Sequence, residues 1–538
     1  MRHMATFGSR AFVIAAVLCM MAATMVWAAD APPLIQAVKA HDAGRVRALL
    51  AGPVEVDGAE VDGSTALHWA VRQDDPELVD LLLGAGADAG RATRYRVTPL
   101  AIAAANGSAP MIVRLLRAGV DPDSTSQDGE TALMTAARNG TVEAIEVLVA
   151  HGADVNAREP RKGQTALMWA AGEGNAAAVA ALVASGADVR ATSASGFTPL
   201  LFAVLNDRVR SAEALLAGGA DVNDVAPDGT SALNMAVVNA YYDLAAVLLD
   251  HGADPNAPDP RGSALHTLAW LRKPGATGAA AVGGVASGPP VPTGTMSALE
   301  LAERLLDHGA DPNIRVELEE RRFNKDGAAV TNPPDIQLGR HLLSYNGATP
   351  FYVAANNGDV ALMRLLAERG ADPLIPTAFG VTPLMAAAGL NYYEGETPGP
   401  FTGTSEEERL AAVTLAFTLG NDLNARADFG DYPMLGDPAY TLLYYPLNID
   451  DLVDLGVGDP RWDGSTALHG AVISGQPSIV QFLIDQGAEV DVANDLGWTP
   501  LMLARGVFLA NDEKHYPEAE AIIRRALGAR GLPVEDGR

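Results

Sequence analysis

Thr131–Asn156, TALMTAARNGTVEAIEVLVAHGADVN, decides how the rest of this chain is read. It opens with a hydroxyl residue suited to capping a helix, continues through an alanine-rich apolar run, and breaks at Gly140. A second amphipathic segment, Val142–Val149, carries apolar residues at three- and four-residue spacing before Gly152 ends it. The stretch therefore predicts a pair of short antiparallel helices. One such pair cannot bury its own apolar face, so it needs similar neighbours to stack on.

The neighbours are there. Aligning the capping hydroxyl gives Thr65, Thr98, Thr131, Thr165, Thr198, Ser231 and Ser263, separated by 33, 33, 34, 33, 33 and 32 residues. TALHWA at Thr65, TPLAIAA at Thr98, TALMWAA at Thr165, TPLLFAV at Thr198 and TPLMAAA at Thr382 repeat the first helix. GADVN at Gly152 and Gly219, GADPN at Gly252 and Gly309, and GAEVD at Gly487 repeat the outgoing loop. Period and motifs together resemble the ankyrin repeat family over nearly all of residues 32–538. The expected fold is an all-α ankyrin solenoid of about twelve helix-turn-helix units with hairpin-like fingers between them. Leu34–Leu50 reads as a degenerate first repeat, and the segment from Thr499 as an altered last one, with basic Arg524 and Arg525 on its second helix.

Gly107, Gly140, Gly174, Gly358 and Gly475 stand nine residues past their caps, where the first helix has to end in a left-handed residue. Asp74, Asp207 and Ala240 take that place in three repeats. Alanine tolerates the conformation poorly, so the turn at Ala240 is expected to differ in geometry.

Two repeats are interrupted. Repeat eight carries a Gly/Ala/Pro-rich stretch from Ala276 inside its helix turn and a charged insertion, about 315–345, in its outgoing loop. Repeat ten carries NYYEGETPGPFTG from Asn391 and a second insertion over 429–462. This divides the chain into regular repeats over 32–262, interrupted repeats over 263–465, and closing repeats over 466–538. In a stacked array these insertions flank the regular repeat nine and are expected to form a canopy beside it.

The 538 residues exceed what one globular core usually holds, and a hydrophobic share of 48% argues for packed structure over disorder. Residues 1–28 read as an export signal, with Arg2 and Arg10 before the apolar Ala11–Ala23 and Val26-Trp27-Ala28 at the expected cleavage point. An exported, periplasmic or secreted chain follows, held to a membrane only if that segment is retained. The lone Cys19 lies inside it, so the processed chain has no thiol chemistry. Losing two arginines and no acid takes the net charge from −28 to −30. So acidic a chain disfavours nucleic-acid backbones and favours a basic partner surface.

No motif points to catalysis, a cofactor or a metal. There is no HExxH, GxSxG or GK[ST]. Asp121–Asp128 imitates a calcium loop but puts Thr125 and Ala132 where ligands are required. His68, His266 and His469 fall in the TALH position, and His151, His251 and His308 precede the helix-ending glycine, all structural places. Trp69, Trp169, Phe202 and Met235, four residues past their caps, are expected in the core.

The resemblance implies non-catalytic recognition of a protein by a monomeric scaffold, through the fingers and the last turn of the first helices on the concave face. The matching positions are Arg94, Tyr95, Glu130, Arg138, Asn139, Tyr345, Asn357, Phe379, Trp462 and Trp498. The aromatic and arginine members are the residue types that dominate interface energies. The alternative is a small-ligand protein or hydrolase with a site among the insertions, drawing on Arg321, Arg322, His341, Glu394 and Asp437.

Overall fold

A computed structural model describes residues 31–259, 262–272, 291–316, 346–390, 404–428, 463–495, 497–506 and 515–534. The candidate export signal and most of each of the four insertions lie outside them. The described residues contain twelve helix pairs, matching the repeat period, and no strand beyond three isolated bridges in the fingers. No described helix is long and apolar enough to cross a membrane.

The chain divides into two compact units, Met1–Ser195 and Gly196–Arg538. The N-terminal unit holds five pairs: α1 Pro33–Lys39 with α2 Ala43–Leu50, α3 Ala66–Arg72 with α4 Pro76–Gly84, α5 Pro99–Asn106 with α6 Ala109–Arg117, α7 Ala132–Asn139 with α8 Val142–Ala150, and α9 Ala166–Glu173 with α10 Ala176–Ala184. The C-terminal unit holds seven: α11 Pro199–Leu205 with α12 Val209–Ala217, α13 Ala232–Val238 with α14 Tyr242–Asp250, α15 Ala264–Arg272 with α16 Ala298–Asp307, α17 Pro350–Asn356 with α18 Val360–Glu368, α19 Pro383–Ala388 with α20 Glu406–Thr418, α21 Ala467–Ile473 with α22 Pro477–Asp485, and α23 Pro500–Ala504 with α24 Pro517–Ala529. Within each unit, first helices pack on first helices and second on second.

The local chemistry follows the spacing. Thr98, Thr131 and Thr165 each accept a hydrogen bond from the N–H three residues on, at 3.1–3.4 Å, satisfying an orphan donor of the first turn. The alanines behind them, including Ala103, Ala136 and Ala170, are fully buried where first helices meet. Gly107, Gly140 and Gly174 take φ of 68°, 74° and 87° and close their helices as the sequence requires.

At Ala240 the expectation fails. Its φ is 57°, and its N–H bonds Val237 O while Tyr241 N–H bonds Ala236 O, the same pair of bonds made around Gly107. The turn keeps its geometry, and Ala240 bears a left-handed backbone that costs about 1–2 kcal/mol. Ala240 is fully buried, so the packing of the pair over-determines the turn.

The outgoing loops lock successive repeats together. Asn156 Oδ1 accepts from Asp188 N–H at 2.8 Å while its Nδ2 donates to Gly186 O at 3.3 Å. Asn256 reaches Asp311 and Gly309 in the same way, and Asn313 reaches Asp372 and Gly370. The last two pairs span 53–59 residues rather than about 31, yet the bonds are the same. The insertions leave the stacking register intact.

Where the chain re-enters after an insertion, a capping box starts the second helix, Ser297 with Glu300 and Ser405 with Glu408. Each return is tied to the preceding repeat: Asp243 accepts from Thr295 and Met296 N–H, and Thr404 Oγ1 donates to Asn357 O. Arg409, 1% exposed, donates to Ala387 O at 3.0 Å and Asn356 O at 2.9 Å, satisfying carbonyls at the ends of two first helices.

Candidate functional site

Four residues past each cap, the first helix carries a side chain at the margin between the stacked core and the finger side. Sequence reasoning placed its large members in the core. Trp69, Trp169 and Phe202 are instead only half-buried, because a ring is too large for the gap between two alanine-rich helices; Met235 alone of the four is buried. In the N-terminal unit the two tryptophans gather polar groups. Trp69 Nε1 donates to Glu60 Oε2 at 2.8 Å, and Lys39 Nζ pairs with Glu60 Oε1 at 2.6 Å. Lys39 Nζ lies 4.0 Å from the Trp69 ring centroid and Arg72 Cζ 5.1 Å, both within cation–π range. Over Trp169 of repeat five, Arg138 of repeat four places its Cζ 5.2 Å from the ring centroid while pairing with Glu130 at 3.4 Å.

The C-terminal unit is different from repeat seven onward. Thr267, Val353 and Ala386 occupy the same position and are fully buried. Phe202, on the unit's first repeat, remains half-buried against Phe197, with centroids 6.0 Å apart.

The expected partner-binding residues divide accordingly. Arg94, Tyr95 and Asn139 are exposed, and Glu130, Arg138 and Phe379 are half-buried. Asn357 and Trp498 are corrections: both are buried, at 2% and 6% exposure, and have no face to offer. Asn357 Nδ2 donates to Ala269 O on the neighbouring helix, 88 residues away. Trp498 O accepts from His469 Nε2–H. Asn139 has a milder form of the same duty, donating to Ala105 O at 3.1 Å. Tyr345 and Trp462 lie outside the described residues, as do Arg321, Arg322, His341, Glu394 and Asp437 of the alternative site. The structure brings Glu130 and Arg138 together and places Arg94 beside Tyr95. The cations around Trp69 were missed, though Lys39, thirty residues upstream, gave no local signal.

The histidines are structural. His68, His266 and His469 each accept their own cap's backbone N–H at Nδ1 and donate from Nε2 to the carbonyl just before the next repeat's cap, Val97, Ala348 and Trp498. Burial pushes His266 and His469 down to about 4, and lowers His68, so the neutral rings these bonds require are the stable ones. His151, His251 and His308 turn Nδ1 to the carbonyl four residues back. In the calcium-like loop, Asp123 Oδ1 accepts Asp154 N–H, a stacking bond. Among the described residues no group of three or more His, Cys, Asp or Glu is placed to hold a metal ion.

Family models bear directly on this architecture. The model for ankyrin repeats in three copies matches residues 24–93, 100–193, 185–259 and 439–506, and the single ankyrin repeat model matches 346–378. The chain belongs to the ankyrin repeat family. Ankyrin repeats are generally protein–protein interaction modules, and ankyrin repeat proteins are typically non-catalytic scaffolds. Among curated proteins, this ankyrin chain is 40% identical over 58 residues to the potassium channel AKT1 of Oryza sativa, covering 10% of this chain and 6% of the channel. It is 33% identical over 76 residues to that of Arabidopsis thaliana, covering 14% and 8%. The chain thus spans less than a tenth of the length of the curated relatives it matches. Among solved structures, the human ASB11 ankyrin repeat domain aligns with 25% identity and a TM-score of 0.38, over 41% of this chain and 99% of that one.

Proposed function

We propose that this protein is a non-catalytic scaffold of the cell envelope that holds a protein partner along the fingers and first-helix margins of its N-terminal unit. The observation that carries this reading is the half-exposed pair Trp69 and Trp169, each under a cation, set against the burial of the same position from repeat seven onward. Half-buried aromatics with pre-positioned cations lose little side-chain entropy on binding and suit an interface anchor. Location in the envelope rests on the leader pattern of residues 1–28. The net charge of −28 favours encounter with a partner carrying basic patches, and the chain acts as a monomer.

The test is capture of crosslinked partners from envelope extract by the wild-type chain and by Trp69→Ala/Trp169→Ala. The double variant is expected to lose at least about tenfold in capture, with its thermal midpoint shifted by only a few degrees. Equal capture by a folded double variant rejects the reading. Retention of residues 1–28 in a soluble, non-exported chain rejects the envelope assignment.

A further inference from the structure

The fingers of repeats two, four, seven, ten and twelve are small hairpins, each closed by two backbone hydrogen bonds with glycine at the left-handed corner. In repeat two Glu60 N–H bonds Ser64 O and Gly63 N–H bonds Glu60 O; in repeat four Ser126 N–H bonds Glu130 O and Gly129 N–H bonds Ser126 O. Gly63 and Gly129 have φ of 90° and 82°. The finger of repeat three makes the same two bonds, Thr93 N–H to Val97 O and Arg96 N–H to Thr93 O, both at 2.9 Å. Its corner is Arg96, at φ 55°. Where repeats two and four have Asp62-Gly63 and Asp128-Gly129, this finger has Tyr95-Arg96.

A long, charged side chain in glycine's place gives the turn nothing; it strains it. Strain of this kind is kept where the side chain is used. The side chain here is exposed, and so are those of Arg91, Arg94 and Tyr95, the last at 65%. None of the three arginines has a side-chain hydrogen bond or ion pair among the described residues. Three other arginines of this unit are paired, Arg161 with Asp128, Arg114 with Asp80 and Arg138 with Glu130. The acids nearest in the pattern are occupied too, Asp62 accepting both the N–H and the hydroxyl of Ser64. The finger itself is held in place, since Arg94 N–H donates to Asp62 O of the preceding finger at 2.9 Å. A rigid tip thus presents three unpaired guanidinium groups around a tyrosine, in a chain of net charge −28.

We propose that the Arg91–Arg96 finger is a docking tip for an acidic segment of the partner protein, with Arg94 and Arg96 pairing carboxylates and Tyr95 covering the apolar part of the segment. Guanidinium forks match carboxylates bidentately. The surrounding acidic surface repels an extended polyanion wherever the polymer passes within about a Debye length of it, about 8 Å, which disfavours a nucleic-acid backbone or an anionic membrane and leaves a short acidic loop as the anion that can reach the tip. This deepens the proposed function by assigning one element of the partner, and it rests on that reading.

The experiment measures fluorescence anisotropy of a labelled twelve-residue peptide with six glutamates, and of its glutamine counterpart, against the full chain. The glutamate peptide is expected to bind and the glutamine peptide not to. Arg94→Gln/Arg96→Gln is expected to weaken binding at least about tenfold, while Arg94→Lys/Arg96→Lys retains part of it. Arg96→Gly is the diagnostic variant: it should raise the thermal midpoint by relieving the corner and still weaken binding severalfold. Glutamate-peptide affinity unchanged in the double glutamine variant overturns the proposal. So does a twelve-nucleotide DNA or a phosphatidylglycerol vesicle binding the finger as tightly as the peptide, or a lowered midpoint in Arg96→Gly. The peptide assay reads the finger alone. Loss of the Trp69/Trp169 effect on partner capture with peptide binding intact would reject the scaffold reading and leave the finger standing, and the reverse would reject the finger only.

Discussion

The two compact units are built from one repeat and differ in what they leave open. In the N-terminal unit the pairs follow one another without interruption, first helices close on alanines, and the margin position holds half-exposed Trp69 and Trp169. In the C-terminal unit, repeats eight to ten leave that position fully buried at Thr267, Val353 and Ala386. Polar staples bind its pairs together: Arg409 across two helix ends, and Arg272 with Asp359 at 2.6 Å, the latter carboxylate 2% exposed. The same local code thus yields a margin with half-exposed rings in one unit and an internally tied stack in the other. A repeat motif fixes how a pair folds, and the neighbours decide whether its face is available.

Acid should separate the units most. The folded values of His266 and His469, about 4, lie below the ordinary 6.5, so the unfolded chain takes up protons first as pH falls. Their contribution is complete above pH 6.5, is lost between 6.5 and about 4, and changes no further below that; each is on the order of 3 kcal/mol. The N-terminal unit has one such ring, His68. Its Asp62 is lowered by the Ser64 N–H, and Glu159 is lowered because three backbone N–H bonds outweigh its burial. Those carboxylate contributions are present at neutral pH and lost only as pH falls through the carboxylate range. Hydrogen exchange followed by segment at pH 7 and pH 5 is expected to show the C-terminal unit losing protection first, and His266→Gln with His469→Gln should flatten that difference. Equal loss in both units would break the contrast.

Arg409→Met should cost about 3 kcal/mol, because two helix-end carbonyls lose a buried charged donor. In urea the C-terminal transition should move to lower concentration while tryptophan fluorescence from Trp69 and Trp169 does not. Asn313→Ala removes two loop bonds and is expected to cost about 1–2 kcal/mol. Asn156→Ala, which removes the corresponding pair in the N-terminal unit, should cost the same; a large disparity would mean the loop locks are not equivalent. Ala240→Gly should change stability by less than about 1 kcal/mol, relief of the left-handed strain offsetting greater freedom in the unfolded chain. Calorimetry suffices for these last three.

Most of the fold was legible. Caps, glycine corners and the TALH histidines involve partners a few residues away, so their spacing is written in the chain. The site was legible only in part. Arg94 and Tyr95 are exposed and Arg138 is half-buried, but Asn357 and Trp498 are drawn inward by partners 88 and 29 residues away. The re-entry caps Ser297 and Ser405 could have been found, since each precedes a glutamate by three residues.

The sequence by itself determined the period, the helix pairs, the family and the neutral roles of the histidines, because each rests on hydrogen bonds within a helix turn or between adjacent repeats. Tertiary structure decided which aromatic rings stay exposed, which asparagines become braces, and that Arg96 turns a corner reserved elsewhere for glycine. Exposure and strain are properties of the assembled stack: they depend on what packs against a residue, and in this chain that neighbour stands up to 88 positions away.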